Sequence, residues 1–323
     1  MGKAVAVLSI IGAGLIVLGC AVFGVAIALN GYDWEALSME KYSNNNYEVS
    51  EAFTDISVDT KEADIVFLPS EDGTCRVLCY EKERMTHKVA VNGETLEIKL
   101  EDNRKWYHHI TWFSFSAPKI TIYLPKEEYG SLSIKSRTGD VQIDESLVFE
   151  NMDISLSTGG VSNKASVRGL IKIKTTTGHI SVENISAGAL DLAVSTGDVK
   201  ALSIACERSI SIKVSTGKTE LDRVTCESLT STGDTGEILL RQVVATGVFR
   251  IERSTGDVEF DRSDAGEIYV VTDTGDVKGS LLSDKVFITH TDIGRIEAPK
   301  SVNGGRCEIS TDTGDIKISI VGK

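Results

Sequence analysis

A glycine recurs every 19 or 20 residues through the C-terminal part of this chain of 323 residues, and it follows a threonine at nine of ten positions. The turn positions are Thr138, Thr158, Thr177, Thr196, Thr216, Thr235, Thr255, Thr274, Ile293 and Thr313. A fixed period of this length is typical of repeat architectures, in which neighbouring units bury one continuous core.

Apolar residues alternate with polar residues on both sides of each turn, which indicates two half-buried strands per unit. The columns six and four residues before the turn hold, for example, Leu132 and Ile134, and the column three residues after it holds Val141. An antiparallel meander and a parallel solenoid both fit this period, but like residues in every column favour stacking of equivalent positions. We therefore predict an all-β chain, a parallel β-solenoid (β-helix-like) with roughly 19–20-residue coils stacked about 4.8 Å apart.

One transmembrane α-helix is predicted before the solenoid, because residues 4–29 carry no charge and are long enough to cross a membrane. Lys3 precedes this stretch, whereas Asp33, Glu35 and Glu40 follow it, so the positive-inside rule places the N-terminus in the cytoplasm. Two alternatives stay open. They are a cleaved signal peptide and a lipoprotein modified at Cys20, although the apolar run is long for the first and continues past Cys20.

The domain organisation follows from these signals. We predict a cytoplasmic N-terminus at 1–3, the transmembrane helix at 4–29, a polar spacer at 30–46, N-terminal β coils at 47–130 and regular repeats at 131–323. Within 47–130, Asn92-Gly93 predicts a hairpin, residues 119–125 predict a strand and Thr60–Ile65 resembles a degenerate first turn.

The net charge of −13 argues against nucleic-acid binding and against adsorption to an anionic membrane, since both need a basic surface. Five cysteines follow the apolar stretch, namely Cys75, Cys79, Cys206, Cys226 and Cys307. Cys206 and Cys226 lie one repeat apart, so they are either bridged between neighbouring coils or buried as small apolar residues. No cysteine spacing indicates zinc, and the sequence predicts no metal or cofactor.

The motifs of residues 50–321 resemble a known bacterial family. The order is Phe-x-x-Ile-x-Val at 53–58, an Asn-Gly hairpin, an Ile-x-Ile-x-Leu-Pro strand and then the repeated Thr-Gly-Asp turn. This order resembles the bacterial β-strand-repeat "putative adhesin" family, domain of unknown function 4097. The resemblance implies a β-repeat fold and a protein of the bacterial cell envelope, and it carries no catalytic motif.

Two residues after each turn position the chain often has an acidic side chain, and the last repeats concentrate them. Asp273, Asp276, Asp292, Asp312 and Asp315 are expected to converge on one edge, with Arg295 between Asp276 and Asp315. A solvated acidic edge is the preferred interpretation. A weak cation site, a sugar site or a pair of catalytic carboxylates are the alternatives.

An aromatic segment between two predicted strands is the second candidate site. It contains Trp106, Tyr107, Trp112, Phe113 and Phe115. Such rings either bind a partner or a membrane, or cap the open end of the first coil. His108-His109 in the same segment does not suit a metal pair, because adjacent strand residues point to opposite faces.

Three functional hypotheses follow. The first is a non-enzymatic cell-surface or envelope module that binds a protein or a wall component. The second is a carbohydrate-active or cation-binding solenoid that uses the acidic edge. The third is an assembly protein that self-associates through an open final coil, Ile316 to Val321, because the chain ends in that strand. The first hypothesis predicts no catalytic residues and a single-pass membrane protein with its bulk outside the cytoplasm.

Overall fold

The computed structural model describes residues 2–29, 42–103 and 117–321. Its one helix, α1, spans Gly2–Leu29, and the part from Val7 to Ala26 has a mean hydropathy of 2.4. The side chains of that part are exposed, and no other described residues cover them. A helix that is apolar all round and uncovered fits a hydrocarbon environment, so α1 is a candidate membrane span by length and composition.

The rest of the described chain is built from 24 strands that form one continuous sheet. They are β1 (Tyr42–Val49), β2 (Asp55–Asp59), β3 (Asp64–Pro69), β4 (Cys75–Lys82), β5 (Met85–Asn92), β6 (Thr95–Asp102), β7 (Lys119–Leu124), β8 (Glu128–Thr138), β9 (Val141–Ile143), β10 (Val148–Thr158), β11 (Val161–Asn163), β12 (Ser166–Thr177), β13 (Ile180–Thr196), β14 (Val199–Cys206), β15 (Ser209–Thr216), β16 (Thr219–Cys226), β17 (Ser228–Thr235), β18 (Ile238–Thr255), β19 (Val258–Thr274), β20 (Val277–Leu281), β21 (Lys285–Ile293), β22 (Ile296–Glu297), β23 (Gly305–Thr313) and β24 (Ile316–Ile320).

The strands stack as a parallel solenoid, as the repeat predicts. In-register pairs join equivalent positions of successive coils, for example Leu132 with Met152 and Ile134 with Ile154. These columns are buried and form one apolar core along the stack. Each fully buried aliphatic side chain contributes roughly 1.5–3 kcal/mol.

The turn glycines stack as closely as the strands do. Gly159 has a φ of 139°, a conformation that glycine adopts without steric cost. A Cβ atom on Gly159 would lie 2.0 Å from the carbonyl oxygen of Gly139 in the preceding coil. Two constraints, the positive φ and the close approach of the next turn, therefore keep glycine in this column.

The irregular N-terminal strands form the first coil and its cover. Ile56 of β2 pairs with Leu132 and Ile65 of β3 pairs with Val141, so the predicted degenerate first turn is confirmed. The Asn-Gly hairpin is also confirmed, with β5 and β6 antiparallel. Strand β1 begins at Tyr42, inside the predicted spacer, because its asparagines pair along β4 and the Asn45 amide donates to Glu81.

The coils at the C-terminal end do not stack in sequence order, which corrects the predicted open final coil. Strand β23 lies between β19 and β21, and β24 lies between β20 and β22. The C-terminal coil is therefore inserted one layer inward. The outermost coil is the preceding one, formed by β21 and β22.

A buried basic side chain explains two exceptions in the apolar columns. Arg253 is buried, and its guanidinium donates to the hydroxyls of Thr219 and Ser231 at 3.0 and 3.3 Å. Its neighbour in the adjacent strand is Gly233, which leaves room for the guanidinium. Burial lowers the pKa of Arg253 to about 10.

Candidate functional site

The acidic residues of the turn edge hold the backbone of the next coil. The Asp140 carboxylate accepts a hydrogen bond from the N–H of Gly160 at 2.7 Å, and the Asp198 carboxylate accepts one from Lys218 at 2.8 Å. The same bond joins Asp257 to the N–H of Asp276 at 2.9 Å. Many of the recurring aspartates therefore have a structural role in the turns, because their carboxylates accept hydrogen bonds from backbone N–H groups along the edge.

The five acidic residues of the last repeats do lie on one edge, but in a different order from the predicted one. Asp315 is between Asp276 and Arg295, because β24 is inserted inward. The Asp276 carboxylate accepts the N–H of Asp315 at 2.8 Å. Asp273, Asp312 and Asp292 follow each other in the neighbouring column and are exposed.

Arg295 neutralises the inner part of this edge. Its Nε and Nη2 atoms donate to one oxygen of Asp315 at 3.2 and 2.7 Å, and its backbone N–H donates to the other at 2.9 Å. These bonds lower the pKa of Asp315. A glycosidase needs one carboxyl group with a raised pKa as its acid, so Asp315 is unsuited to that role.

The end of the stack farthest from the N-terminal strands presents an open strand edge. Strand β21 pairs with β23 on one side, and no described strand pairs with its other side. Its side chains Val286, Ile288 and Ile293 are exposed, as is Ile296 of β22. We refer to residues 285–297 as the distal edge. The prediction from the sequence was Ile316–Val321 instead, because it assumed that the coils stack in chain order.

The aromatic candidates Trp106, Tyr107, Trp112, Phe113 and Phe115 lie outside the described residues. Their role in binding a partner, and the alternative that they cap the first coil, stay predictions.

The cysteines are unbridged. Cys75, Cys79, Cys206, Cys226 and Cys307 are buried, and Cys20 is exposed on α1. Cys206 and Cys226 are thus free thiols, which follows the interpretation as small buried side chains. Burial raises the pKa of Cys226 to about 12, so this thiol stays protonated at neutral pH.

A buried polar cluster at the N-terminal end was missed by the sequence analysis. Cys79, Glu81 and His87 bring a thiol, a carboxylate and an imidazole nitrogen within 4.8 Å of one another. Cys79 and Glu81 are two apart on β4, and His87 is on β5. Alternation along β4 could have placed the first two on one face, but nothing in the sequence pairs His87 with them.

Comparison with known proteins gives the family. Residues 53–319 match the Toastrack DUF4097 family. No curated protein sequence matches the chain.

Solved structures also resemble it. A "putative adhesin" from Bacteroides fragilis NCTC 9343 is 18% identical, with 86% of this chain and 97% of that chain covered and a TM-score of 0.45. A "putative lipid binding protein" from Parabacteroides distasonis ATCC 8503 is 15% identical, with 87% and 98% covered and a TM-score of 0.47. A third, a "putative adhesin" from Parabacteroides merdae ATCC 43184, is 12% identical, with 86% and 96% covered and a TM-score of 0.46.

The family match spans most of the chain and coincides with the coils that the structure describes, from β2 to β24. The chain is a member of the Toastrack DUF4097 family of β-repeat proteins.

Proposed function

We propose that this protein is a single-pass membrane protein whose solenoid lies outside the cytoplasm and binds an envelope protein through the distal edge, without catalysis. The observation that carries the proposal is the open edge of β21. An outermost strand has a row of backbone N–H and C=O groups without strand partners, and an extended segment of another protein can pair with them.

The side chains of the distal edge favour a protein partner. Ile288 and Ile296 are 46% and 45% exposed, and Ile293 is 70% exposed. Soluble proteins usually protect an edge strand with an outward lysine or a proline. The lysine of β21, Lys285, is instead buried. An added strand would place every second side chain against the surface beside this edge. The exposed apolar side chains there therefore suit a partner strand that carries apolar residues.

The anchor and its orientation rest on the N-terminal segment. Helix α1 is apolar on every side, and the candidate span Val7–Ala26 exceeds the roughly 30 Å hydrocarbon core when its flanking turns are included. Lys3 on one side and the acidic residues after Asn30 on the other favour a cytoplasmic N-terminus. A retained anchor would hold the solenoid at the outer surface of the membrane.

The carbohydrate alternative has a separate test. It needs Asp273 and Asp276 to act on a glycan, so replacing both by asparagine would remove any sugar turnover. Unchanged turnover in the Asp273→Asn/Asp276→Asn variant would exclude this edge as the catalytic site. The hydrogen bonds that Asp276 accepts from Asp315, and Asp315 from Arg295, favour a structural role for the inner carboxylates.

Site-specific photo-crosslinking of the full-length chain in cells tests the binding proposal. A photoreactive amino acid at Ile288 is compared with one at Ser211, which occupies the same repeat column in the middle of the stack and is also exposed. A third probe at Trp112 tests the aromatic segment independently. We expect a discrete crosslinked protein from position 288 and little from position 211.

The mass of the crosslinked product separates the possible partners. A product of about twice the chain mass from position 288 identifies a second copy and supports the assembly hypothesis, now moved from β24 to β21. Equal labelling from positions 288 and 211 would refute the distal edge as a binding site. Strong labelling from position 112 alone would transfer the proposal to the aromatic segment.

A further inference from the structure

Three metal-ligating side chains meet inside the N-terminal cover of the solenoid. Glu81 and Cys79 are each 1% exposed and His87 is 3% exposed. Their carboxylate oxygen, thiol sulfur and imidazole nitrogen all lie within 4.8 Å of one another. A carboxylate, a thiol and an imidazole are the three ligand types that zinc accepts in proteins.

Two further residues hold these ligands in orientation. The Nε2 atom of His87 lies 2.8 Å from the hydroxyl oxygen of Thr60, and the amide of Asn45 donates to Oε1 of Glu81 at 2.6 Å. His87 and Glu81 therefore each have one atom held by a neighbour, while His87 Nδ1 and Glu81 Oε2 face each other and Glu81 Oε2 also accepts the backbone N–H of His87 at 2.7 Å. Partners of this kind fix the ring orientation of metal-binding histidines in other proteins.

These two atoms, His87 Nδ1 and Glu81 Oε2, are 2.6 Å apart, so a hydrogen bond joins them in the structure. Zinc bonds of about 2.0–2.1 Å to nitrogen and oxygen require a separation of roughly 3.3 Å in tetrahedral geometry. A change of less than 1 Å in the separation of these two atoms is thus enough for both to bind one zinc ion, and the Cys79 sulfur, which lies within 4.8 Å of both, approaches the same ion.

We propose that Cys79, Glu81 and His87 form a zinc-binding site, with a water molecule as the fourth ligand. The charges balance, since a thiolate and a carboxylate together neutralise the dication in this buried environment. The proposal is independent of the distal edge. The bound ion would join β4 to β5, while Thr60 and Asn45 extend the network to the first turn and to β1.

Zinc binding at this site would release a proton. Burial and the nearby Glu81 carboxylate raise the pKa of the Cys79 thiol to about 12, so the thiol is protonated before the metal enters. The ion must displace that proton. Affinity should therefore increase with pH, as is usual for thiolate sites.

The experiment uses the metal-free full-length chain in detergent with a non-thiol reductant. Zinc is titrated by calorimetry, and cobalt(II) is used as a spectroscopic probe, because a thiolate ligand gives a charge-transfer band in the near ultraviolet. The variants are Cys79→Ser and His87→Gln. The matched control is Cys75→Ser, which changes another buried cysteine on the same face of β4.

We expect one zinc ion per chain, a melting temperature that rises with zinc concentration, and the thiolate–cobalt band in the wild type and in Cys75→Ser. Cys79→Ser and His87→Gln should each lose at least tenfold in zinc affinity, and Cys79→Ser should lose the band. Because the cluster is buried, the titration is repeated with zinc present during refolding. No binding under either condition, or a Cys79→Ser variant that binds as the wild type does, would overturn the proposal.

Discussion

One buried ion pair joins the outermost coil to the coil two layers below it, and its removal should loosen the outermost coil. Lys285 at the start of β21 lies 2.7 Å from Asp264 of β19, with side chains 4% and 13% exposed. Strand β23 lies between these two strands. The neighbour of Lys285 in β23 is Gly305, where a Cβ atom would lie 1.8 Å from the carbonyl oxygen of Gly266 in β19.

The change Asp264→Asn leaves the Lys285 charge buried without a carboxylate. Loss of one partner of a buried pair costs about 3–5 kcal/mol. Lys285 keeps only the Ser283 hydroxyl, at 2.7 Å, as a described hydrogen-bond partner. The free energy for opening the β21–β22 coil should therefore fall by about 3 kcal/mol or more, whereas the central coils keep their stability.

Hydrogen exchange of the backbone amides measures this local opening. At about 1.4 kcal/mol per factor of ten, the loss corresponds to roughly 100-fold faster exchange in β21. The matched control is Lys317→Met, which removes a pair with Glu297 at 3.4 Å in the same region, with side chains 73% and 61% exposed. Exposed pairs contribute about 0–1 kcal/mol, so this variant should exchange almost as the wild type does.

A double variant, Asp264→Leu with Lys285→Met, distinguishes the loss of the charge pair from the loss of the volume that the two side chains fill. Replacement of both charges by apolar groups should restore most of the protection of β21, because no buried charge is left unpaired. Equal exchange in Asp264→Asn and Lys317→Met would refute the argument that the buried pair holds the outermost coil.

Three further predictions test the interior and the corners of the solenoid. Gly233→Ala should cost about 2 kcal/mol or more in urea unfolding, because its Cβ would lie 1.8 Å from the Val214 carbonyl oxygen and 2.0 Å from Nη1 of Arg253; an unchanged midpoint would contradict this. Gln242→Val should cost about 1–2 kcal/mol despite its exposure, because Gln242 has a φ of 52°, whereas Gln242→Asn should be tolerated. Asp144→Asn should lose stability at pH 7 but match the wild type at low pH. The Ser146 hydroxyl and N–H lower the pKa of Asp144, so its contribution is complete above the unfolded pKa of about 4 and is lost as the pH falls through the folded pKa. If the free energies of unfolding of the two proteins changed in the same way with pH, this prediction would be wrong.

The strands and their columns could be predicted because each column repeats the same kind of residue. The glycine turn could be predicted for the same reason. The turn needs both a positive φ and close stacking on the next coil, so glycine recurs at this position in every repeat. The second corner of five central coils was not predicted from the sequence. Asn184, Ser203, Arg223, Gln242 and Arg262 have φ values between 50° and 56°. These side chains are all polar, but only the asparagine is of a type enriched at positive φ, so the conformation is imposed by the stacked coils rather than by local preference.

The candidate sites were less predictable than the fold, since they depend on contacts across layers. Thr219 and Ser231 interrupt apolar columns, and only the position of Arg253 explains both exceptions. In the same way, His87 reaches Glu81 because a short turn folds β5 back beside β4. A repeat pattern describes what each column shares, whereas these sites consist of residues that depart from the pattern.

The exchange of the last two coils is explained by how apolar the residues at their core positions are. The C-terminal coil has Cys307, Ile309, Ile316 and Ile318 at core positions, and all four are buried. The coil before it has Thr289 where the other coil has Ile309, and β22 has only two residues. Inserting the C-terminal coil buries its isoleucines on both sides and leaves the poorer coil on the outside. Each additional buried isoleucine contributes about 1.5–3 kcal/mol, which favours this order over the sequential one. An apolar strand with an unpaired edge is then left at the end of the stack, where a partner can reach it.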